Sequence, residues 1–362
     1  MDNQEDETIA PRDGLDSAKL SAYLRPHLAL SGGPLVVRQF PGGSSNLTYL
    51  LTAGDDDYIL RRPPFGNTVK TAHDMRREFD VLSKLAVVYA PAPKPLHFCD
   101  DIDIIGSEFY LMERRRGLVI RGEIPGTQPL IHGEDAFPTG RVTSTAICRS
   151  FIQNLAELHS LEYRAAGLAD LGKPDGYNRR QVEGWTKRYY AAKTHKWPDL
   201  EKAIVWLNNN VPPESGASLI HNDYKFDNVM LDPVDLTRIT AVLDWEMVTI
   251  GDPLMDLGTT LGYWMSADTG VELLNMPFNP LVLMENISRQ ELVEMYAEAS
   301  GRDVTNILFY YVFGTFKIAV IAQQIYARYV KGFAKDERFA AFDKFVATLG
   351  SIANASVIRS SI

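Results

Sequence analysis

Cysteine is scarce in this chain. Cys99 and Cys148 are its only two, too few for a disulfide framework or a cysteine metal quartet, and a reducing cytoplasm is the expected setting. Basic charge is also in deficit. With 46 acidic against 37 basic residues the net charge is −9, which argues against nucleic acid as a partner. Long apolar runs are missing. Ile307 to Phe316 is the most apolar stretch and stops at Lys317, well short of the roughly 20 residues a membrane helix needs, so no membrane partner is expected. The start lacks a basic n-region and an apolar h-region, so it does not read as a signal peptide. Asp2, Glu5, Asp6, Glu7 and Asp13 crowd it with acid, and residues 1–15 read as an acidic flexible tail. No internal repeat or low-complexity tract is present. What remains is 45% hydrophobic over 362 residues, enough for a packed core and about two domains.

Two stretches carry the chemistry. Leu219 to Met230 contains His221-Asn222-Asp223-Tyr224-Lys225-Phe226-Asp227-Asn228, of the form His-x-Asp-(x)4-Asn. Ile239 to Glu246 places Asp244 directly after an apolar run. Short apolar runs read as buried strands, so each acidic residue falls at a strand end, where side chains meet solvent and ligand. Phosphoryl transfer needs a group that positions or deprotonates the attacking hydroxyl and hard oxygen ligands for magnesium. Asp223 suits the first need, and Asn228 and Asp244 suit the second. Lys225 is placed to reach the transferring phosphate. The order of a catalytic Asp, an Asn five residues on and then a metal-binding Asp is that of the protein-kinase template. A polar turn between strands would use the same residue types, but not both stretches in this order.

On these residues the chain resembles the aminoglycoside phosphotransferase-like kinases, and within them the branch related to the phosphotransferase domains fused to acyl-CoA dehydrogenases. Many members carry Gly where Asn222 stands. The resemblance covers nearly the whole chain after the tail. It implies an α+β, protein-kinase-like two-lobed fold, with a small β-rich N-lobe over residues 16–113 and a larger helical C-lobe over 114–362.

The same plan organises the rest of the chain. Asp16 is a candidate N-cap for a helix over 16–29. A strand over Leu35–Phe40 leads into Gly42-Gly43-Ser44-Ser45-Asn46 and a strand over Leu47–Leu51. Gly43, Ser44, Ser45 and Asn46 are candidate phosphate-loop residues, because small side chains let backbone amides approach phosphate. The stretch matches the family's Gly-Gly-x-Ser-Asn-Leu-Thr form better than the Gly-x-Gly-x-x-Gly of protein kinases. Gly54 to Asp57 reads as a solvated hairpin tip. In the strand Tyr58–Arg62, alternation puts Ile59 and Arg61 on one face, where kinases carry the Lys that pairs nucleotide phosphates and a helix Glu. Arg61 is therefore the expected phosphate-binding residue, with Arg62 the competitor and Glu78, in a helix over Thr71–Leu85, the partner. Met112 and Glu113, ending the strand Phe109–Glu113, are expected to hold the adenine through their backbone.

Arg114, Arg115, Arg116 and Arg121 follow the lobe crossing, and are either a solvated face or a site for an anionic substrate tail. Helices are expected over Thr143–Leu161, with His159 as a helix-end hydrogen-bonder, and over 179–195 and 198–210, with Trp185, Tyr189, Tyr190 and Trp206 as core or pocket wall. Asp252 and Pro253 should open a helix whose Asp256 buttresses the catalytic loop. Ser288 to Glu291 forms a capping box, Asp303 is the expected cap of a long helix to Lys331, and a last helix covers 335–357.

The resemblance and the motifs lead to one expectation: transfer of the γ-phosphate of ATP, with GTP as the alternative nucleotide, to a hydroxyl of a small molecule in the presence of Mg2+. The acceptor implied by the branch is a hydroxyacyl-CoA or related anionic hydroxy compound. An aminoglycoside-type antibiotic kinase and a nucleotide-binding pseudokinase acting as an interaction module are the alternatives. The first would want an acidic acceptor pocket, and the second is opposed by the intact Asp223, Asn228 and Asp244.

Overall fold

Period-two alternation builds the first sheet. The computed structural model describes residues 8–11, 15–28, 33–40, 46–64, 74–120, 141–265, 280–334 and 337–362. After a short helix α1 (Ser17–Leu24) capped by Asp16 come β1 (Val36–Gln39), β2 (Leu47–Ala53) and β3 (Asp56–Arg62). Helix α2 (Met75–Val88) follows, then β4 (Pro95–Cys99), a one-turn helix α3 (Ile102–Ile105) and β5 (Phe109–Glu113). The strands form one antiparallel sheet in the order β1-β2-β3-β5-β4. One face sends Tyr49, Leu51, Leu60, Phe109 and Leu111 into a small core with Leu20 and Leu24 of α1. The other sends Leu50, Ile59, Tyr110 and Met112 into the main core, with Met75, Leu82 and Leu85 of α2. Arg61 shares this second face by parity. Helix α1 ends at Leu24, short of the expected residue 29, and α2 begins at Met75 because Asp74 accepts from the Arg77 amide as N-cap.

The remainder is mainly helical: α4 (Arg141–Ser160), α5 (Tyr177–Ala192) and α6 (Pro198–Asn209). Next come β6 (Ser218–Ile220), β7 (Val229–Leu231), β8 (Ile239–Val242) and β9 (Thr249–Gly251). Then follow α7 (Pro253–Tyr263), α8 (Leu281–Met284), α9 (Arg289–Ser300), α10 (Ile307–Val330) and α11 (Phe342–Arg359). This is a protein-kinase-like fold, with a small antiparallel lobe ahead of a larger helical one. The strand beginning the catalytic loop and the strand before Asp244 do not pair with each other. Strand β6 pairs β9 and β7 pairs β8, both antiparallel.

Helix α10 departs from the sequence reading in two ways. It runs to Val330, close to the expected Lys331, but its 24 residues are long and apolar enough to cross a membrane by length and composition, and 78% of its 18-residue apolar window is buried within the protein. Its cap is not Asp303, which accepts from the Thr305 amide and hydroxyl in a turn ahead of it; Asn306 occupies the N-cap. Helix α10 crosses α7 at backbone contact. A Cβ on Gly258 would collide with the Tyr310 carbonyl, and one on Gly314 with the Gly258 carbonyl. The crossing seats α7 beneath the catalytic loop. The last helix is preceded by a 3-10 turn over Glu337–Ala341 and so begins at Phe342.

Candidate active site

The candidate catalytic loop is the turn between β6 and β7. Asn222 sits at φ 69°, a left-handed conformation that Gly adopts freely and Asn tolerates better than most residues. This explains how Asn can stand where the family pattern implied by the resemblance has Gly. Asp256, fully buried on α7, accepts from the backbone amides of both His221 (2.6 Å) and Asn222 (2.7 Å). Burial pushes its carboxyl up, but His159, His221 and these amides outweigh that and hold it below the usual carboxylate value. His159 links Asp256 (3.2 Å) to the Tyr296 hydroxyl (2.7 Å), the helix-end role expected of it. His221 bonds the Leu243 carbonyl through Nε2 at 2.8 Å and the Asp223 amide through Nδ1 at 3.2 Å. A carbonyl only accepts and an amide only donates, so the proton is on Nε2.

These supports present Asp223. Its Oδ2 takes a hydrogen bond from the Asn228 amide (2.9 Å) and pairs with Lys225 Nζ (3.0 Å); its Oδ1 accepts from the Tyr263 hydroxyl (2.9 Å). Burial raises the Asp223 carboxyl, but Lys225, His221 and Lys317 bring it below its ordinary value, so it is a carboxylate at neutral pH. Lys225 is held charged by Asp223 despite its own burial, and its ammonium lies 4.8 Å from the Tyr263 ring centroid.

Tyr263 was not legible as a site residue. It stands seven residues after Asp256 on α7, with Thr260 between, whose hydroxyl donates to the Tyr224 carbonyl at 2.7 Å. Positions i, i+4 and i+7 lie on one helix face. A polar stripe of Asp, Thr and Tyr on that face was the available signal.

The metal candidates converge because β7 and β8 are paired. Val229 lies opposite Val242, and the Leu243 amide donates to the Asn228 carbonyl at 2.8 Å. Asn228 before β7 and Asp244 after β8 therefore share one end of the ladder. The Asn228 amide nitrogen is used on Asp223, which directs its oxygen elsewhere. Among the described residues no cluster of three His, Cys, Asp or Glu could hold a metal alone. Magnesium does not need one, since it takes one or two protein oxygens plus phosphate oxygens. An amide oxygen and a carboxylate fit that donor set.

Arg61 spans the lobes. It contacts Glu78 at 3.5 Å and Asp244 at 3.1 Å. Burial opposes its charge, but Glu78 and Asp244 more than restore it. Arg62 is fully buried on the opposite face, donating to the Ile105 carbonyl (2.8 Å) and the Pro63 carbonyl (3.2 Å), so neither arginine is a surface residue. Two further links join the small lobe to the Asp244 turn. Asn46 donates to Glu246 at 3.0 Å, and Arg77 bonds the carbonyls of Glu246 and Val248. Gly43, Ser44 and Ser45 lie outside the described residues, as does Arg121.

Two groups expected at the site are engaged within the protein. The Glu113 amide donates to the Lys94 carbonyl at 2.9 Å and its side chain accepts from the Lys94 amide and pairs with Arg115. That amide is spent and is not open to adenine; Met112 is buried at the same strand end. The arginine run is not an open cationic patch. Arg114 (2.7 Å) and Arg116 (2.6 Å) both pair with Asp57, and Arg115 bonds the Ala90 and Ala92 carbonyls as well as Glu113. Asp57 is accordingly no solvated hairpin tip. Burial raises its carboxyl, but Thr52 and the two arginines hold it below the ordinary value. One carboxylate of the hairpin thus holds two arginines of the run across the lobe crossing.

With this geometry in hand, comparison with known proteins is decisive. The sequence profile described as the phosphotransferase enzyme family, APH, matches residues 36–278, more than half the chain. The chain belongs to that family. It is 36% identical over 321 residues to acyl-CoA dehydrogenase family member 11 of Gallus gallus, covering 88% of this chain and 40% of the relative. A crystal structure from Ralstonia eutropha, assigned as an aminoglycoside phosphotransferase, superposes with a TM-score of 0.77 at 30% identity, covering 95% of this chain and 98% of that one. The ternary complex of aminoglycoside phosphotransferase APH(4)-Ia with AMP-PNP and hygromycin B shares the fold at 16% identity, with a TM-score of 0.57, over 94% of this chain and 98% of that one. The chain spans about two fifths of the length of the acyl-CoA dehydrogenase relatives it matches.

Proposed function

We propose that this chain is an ATP- and magnesium-dependent phosphotransferase that moves the γ-phosphate to a hydroxyl of a small molecule. The observation that carries the reading is the link, through the Leu243 amide on the Asn228 carbonyl, between the Asp223 cluster and the Asp244–Arg61–Glu78 chain. Asp223 orients the acceptor hydroxyl and takes its proton as the acceptor oxygen bonds the γ-phosphorus and the bond to the bridging oxygen breaks, releasing the nucleoside diphosphate. Lys225 places a fixed positive charge beside that carboxylate. Asn228 and Asp244 would hold magnesium, which supplies charge neutralisation on the phosphates when bound. Arg61, anchored by Glu78, is placed for the phosphates, with Gly43, Ser44, Ser45 and Asn46 as their loop and Met112 beside the adenine.

For the acceptor we propose a hydroxyacyl-CoA. The support is the likeness to the acyl-CoA dehydrogenase relatives; the arginine run no longer contributes, being paired internally. A cytoplasmic setting is proposed from the two buried free cysteines.

The test is a screen of hydroxyacyl-CoAs, hydroxy acids, aminoglycosides and choline-like alcohols, read by ADP release with magnesium present. Turnover with a hydroxyacyl-CoA, lost by about 10²-fold or more in Asp223→Asn while nucleotide binding persists, is the expected outcome. Turnover with an aminoglycoside alone would replace the acceptor and keep the reaction. Nucleotide binding without turnover on any acceptor would favour an interaction module.

A further inference from the structure

Helix α10 carries a single charged residue in its buried middle, Lys317, which is 2% exposed. Its Nζ donates to the backbone carbonyl of Asn222 at 2.6 Å and lies 5.7 Å from the Trp185 ring centroid on α5. Among the described residues it forms no ion pair. The charged groups acting on it come from every side: Asp223 and Lys225 from the catalytic loop, Asp256 from α7 and Arg188 from α5.

A buried ammonium without a carboxylate partner is expensive. Elsewhere this helix solves its packing with apolar side chains against α7 and α11, and a Met would fill the Lys317 volume without that cost. The residue it binds explains its presence. Asn222 is left-handed, and its carbonyl would be an unsatisfied buried acceptor without a donor. A neutral donor would meet that need. A cation meets it with a charge-assisted bond roughly twice as strong, one residue ahead of Asp223.

We propose that Lys317 is a positioning residue acting through Asn222: its charged ammonium clamps the left-handed turn and so fixes where the Asp223 carboxylate meets the acceptor hydroxyl. The inference rests on the phosphotransferase reading above. Burial, with Arg188 and Lys225, pulls the lysine down to about 8 against the support of Asp223 and Asp256. The charge is therefore present at neutral pH and is lost as pH rises through that value. The neutral amine is a weaker donor, and the turn loosens.

Two measurements test this. The first is amide hydrogen exchange of the peptide over residues 219–228, corrected for intrinsic rate, between pH 7 and pH 9.5. Protection should fall across pH 8 in the wild type, be low throughout in Lys317→Met and persist in Lys317→Arg. The second is the pH dependence of kcat by ADP release at saturating magnesium–ATP with a mixture of hydroxyacyl-CoAs as acceptor. The wild type should show a descending limb near pH 8. Lys317→Met should lose about 10-fold or more in kcat at pH 7 with nucleotide Kd within about twofold, and lack that limb. Lys317→Arg should recover kcat relative to Met and keep it above pH 8. If Lys317→Met does not fold, the wild-type profile and the Arg variant decide. Wild-type turnover with no limb near pH 8, or with a limb that Lys317→Met retains, overturns this inference alone. A protected loop in a chain that turns over nothing overturns the kinase reading and this inference with it.

Discussion

The Tyr263 phenol donates to Asp223 Oδ1 at 2.9 Å, on the oxygen opposite the one shared by Lys225 and Asn228. Both oxygens of the proposed base are thus held, one from its own loop and one from α7. Burial keeps the phenol protonated far above neutral pH, so it is a donor under all working conditions. Tyr263→Phe removes one bond to the charged form, which raises the carboxylate's pKa. Asp223 is depressed in the wild type, so its activity is present above the ordinary aspartate range and is lost only as pH falls below that range. The variant should lose about 10-fold in kcat and show its acid limb at higher pH, with nucleotide affinity unchanged. A pH profile of kcat for both proteins checks this, and an unmoved acid limb would remove Tyr263 from the mechanism.

Asp244→Ala deletes one of the two hard oxygen donors. Nucleotide binding should lose its dependence on magnesium, because the metal links this carboxylate to the phosphates. Calorimetric titration of ATP with and without magnesium measures it. A magnesium response equal to that of the wild type would defeat the assignment.

Arg61 and Arg62, adjacent in sequence, should fail differently. Arg61→Ala should weaken nucleotide binding and turnover, since it empties the position between Glu78 and Asp244. Arg62→Ala orphans the buried Ile105 carbonyl and should cost about 2–3 kcal/mol of stability, while the folded fraction keeps its nucleotide affinity. Thermal melts and nucleotide titrations of both variants separate the two effects. A larger affinity loss at Arg62 would reverse the strand's register.

Arg114→Ala should act on stability, not on the acceptor. Its side chain is 12% exposed and bound to Asp57, so a loss of about 1 kcal/mol is expected, with acceptor KM unchanged at low and high salt. Because Asp57 is depressed, the pair's contribution holds at neutral pH and disappears as pH falls below about 4. Arg116, 71% exposed, should matter less. A several-fold rise in KM for an acyl-CoA in either variant would return the run to the acceptor site.

Legibility followed chemistry and locality. Asp223, Asn228, Asp244 and Asp256 could be read because polar residues at strand and helix ends stand out against apolar runs, and strand parity separated Arg61 from Arg62. What stayed hidden depends on contacts between distant segments. Asp57 and Arg114 are 57 residues apart, and neither stretch pointed to the other. Lys317 read as the end of an apolar run, because nothing local shows that the Asn222 carbonyl, 95 residues earlier, waits beneath it. The bonds between Glu113 and Lys94, 19 residues apart, were hidden in the same way.

The long core helix also bears on how the chain is made. Helix α10 has the length and composition of a membrane span, and only its neighbours, above all α7 and the later α11, give it a different solvent. During synthesis this segment emerges before α11 exists to cover it, so there is an interval in which insertion machinery or chaperones meet a span-like sequence. A chain cut before Phe342 would prolong that interval indefinitely. It should be found in aggregates or membrane fractions even though every residue proposed for catalysis is still present.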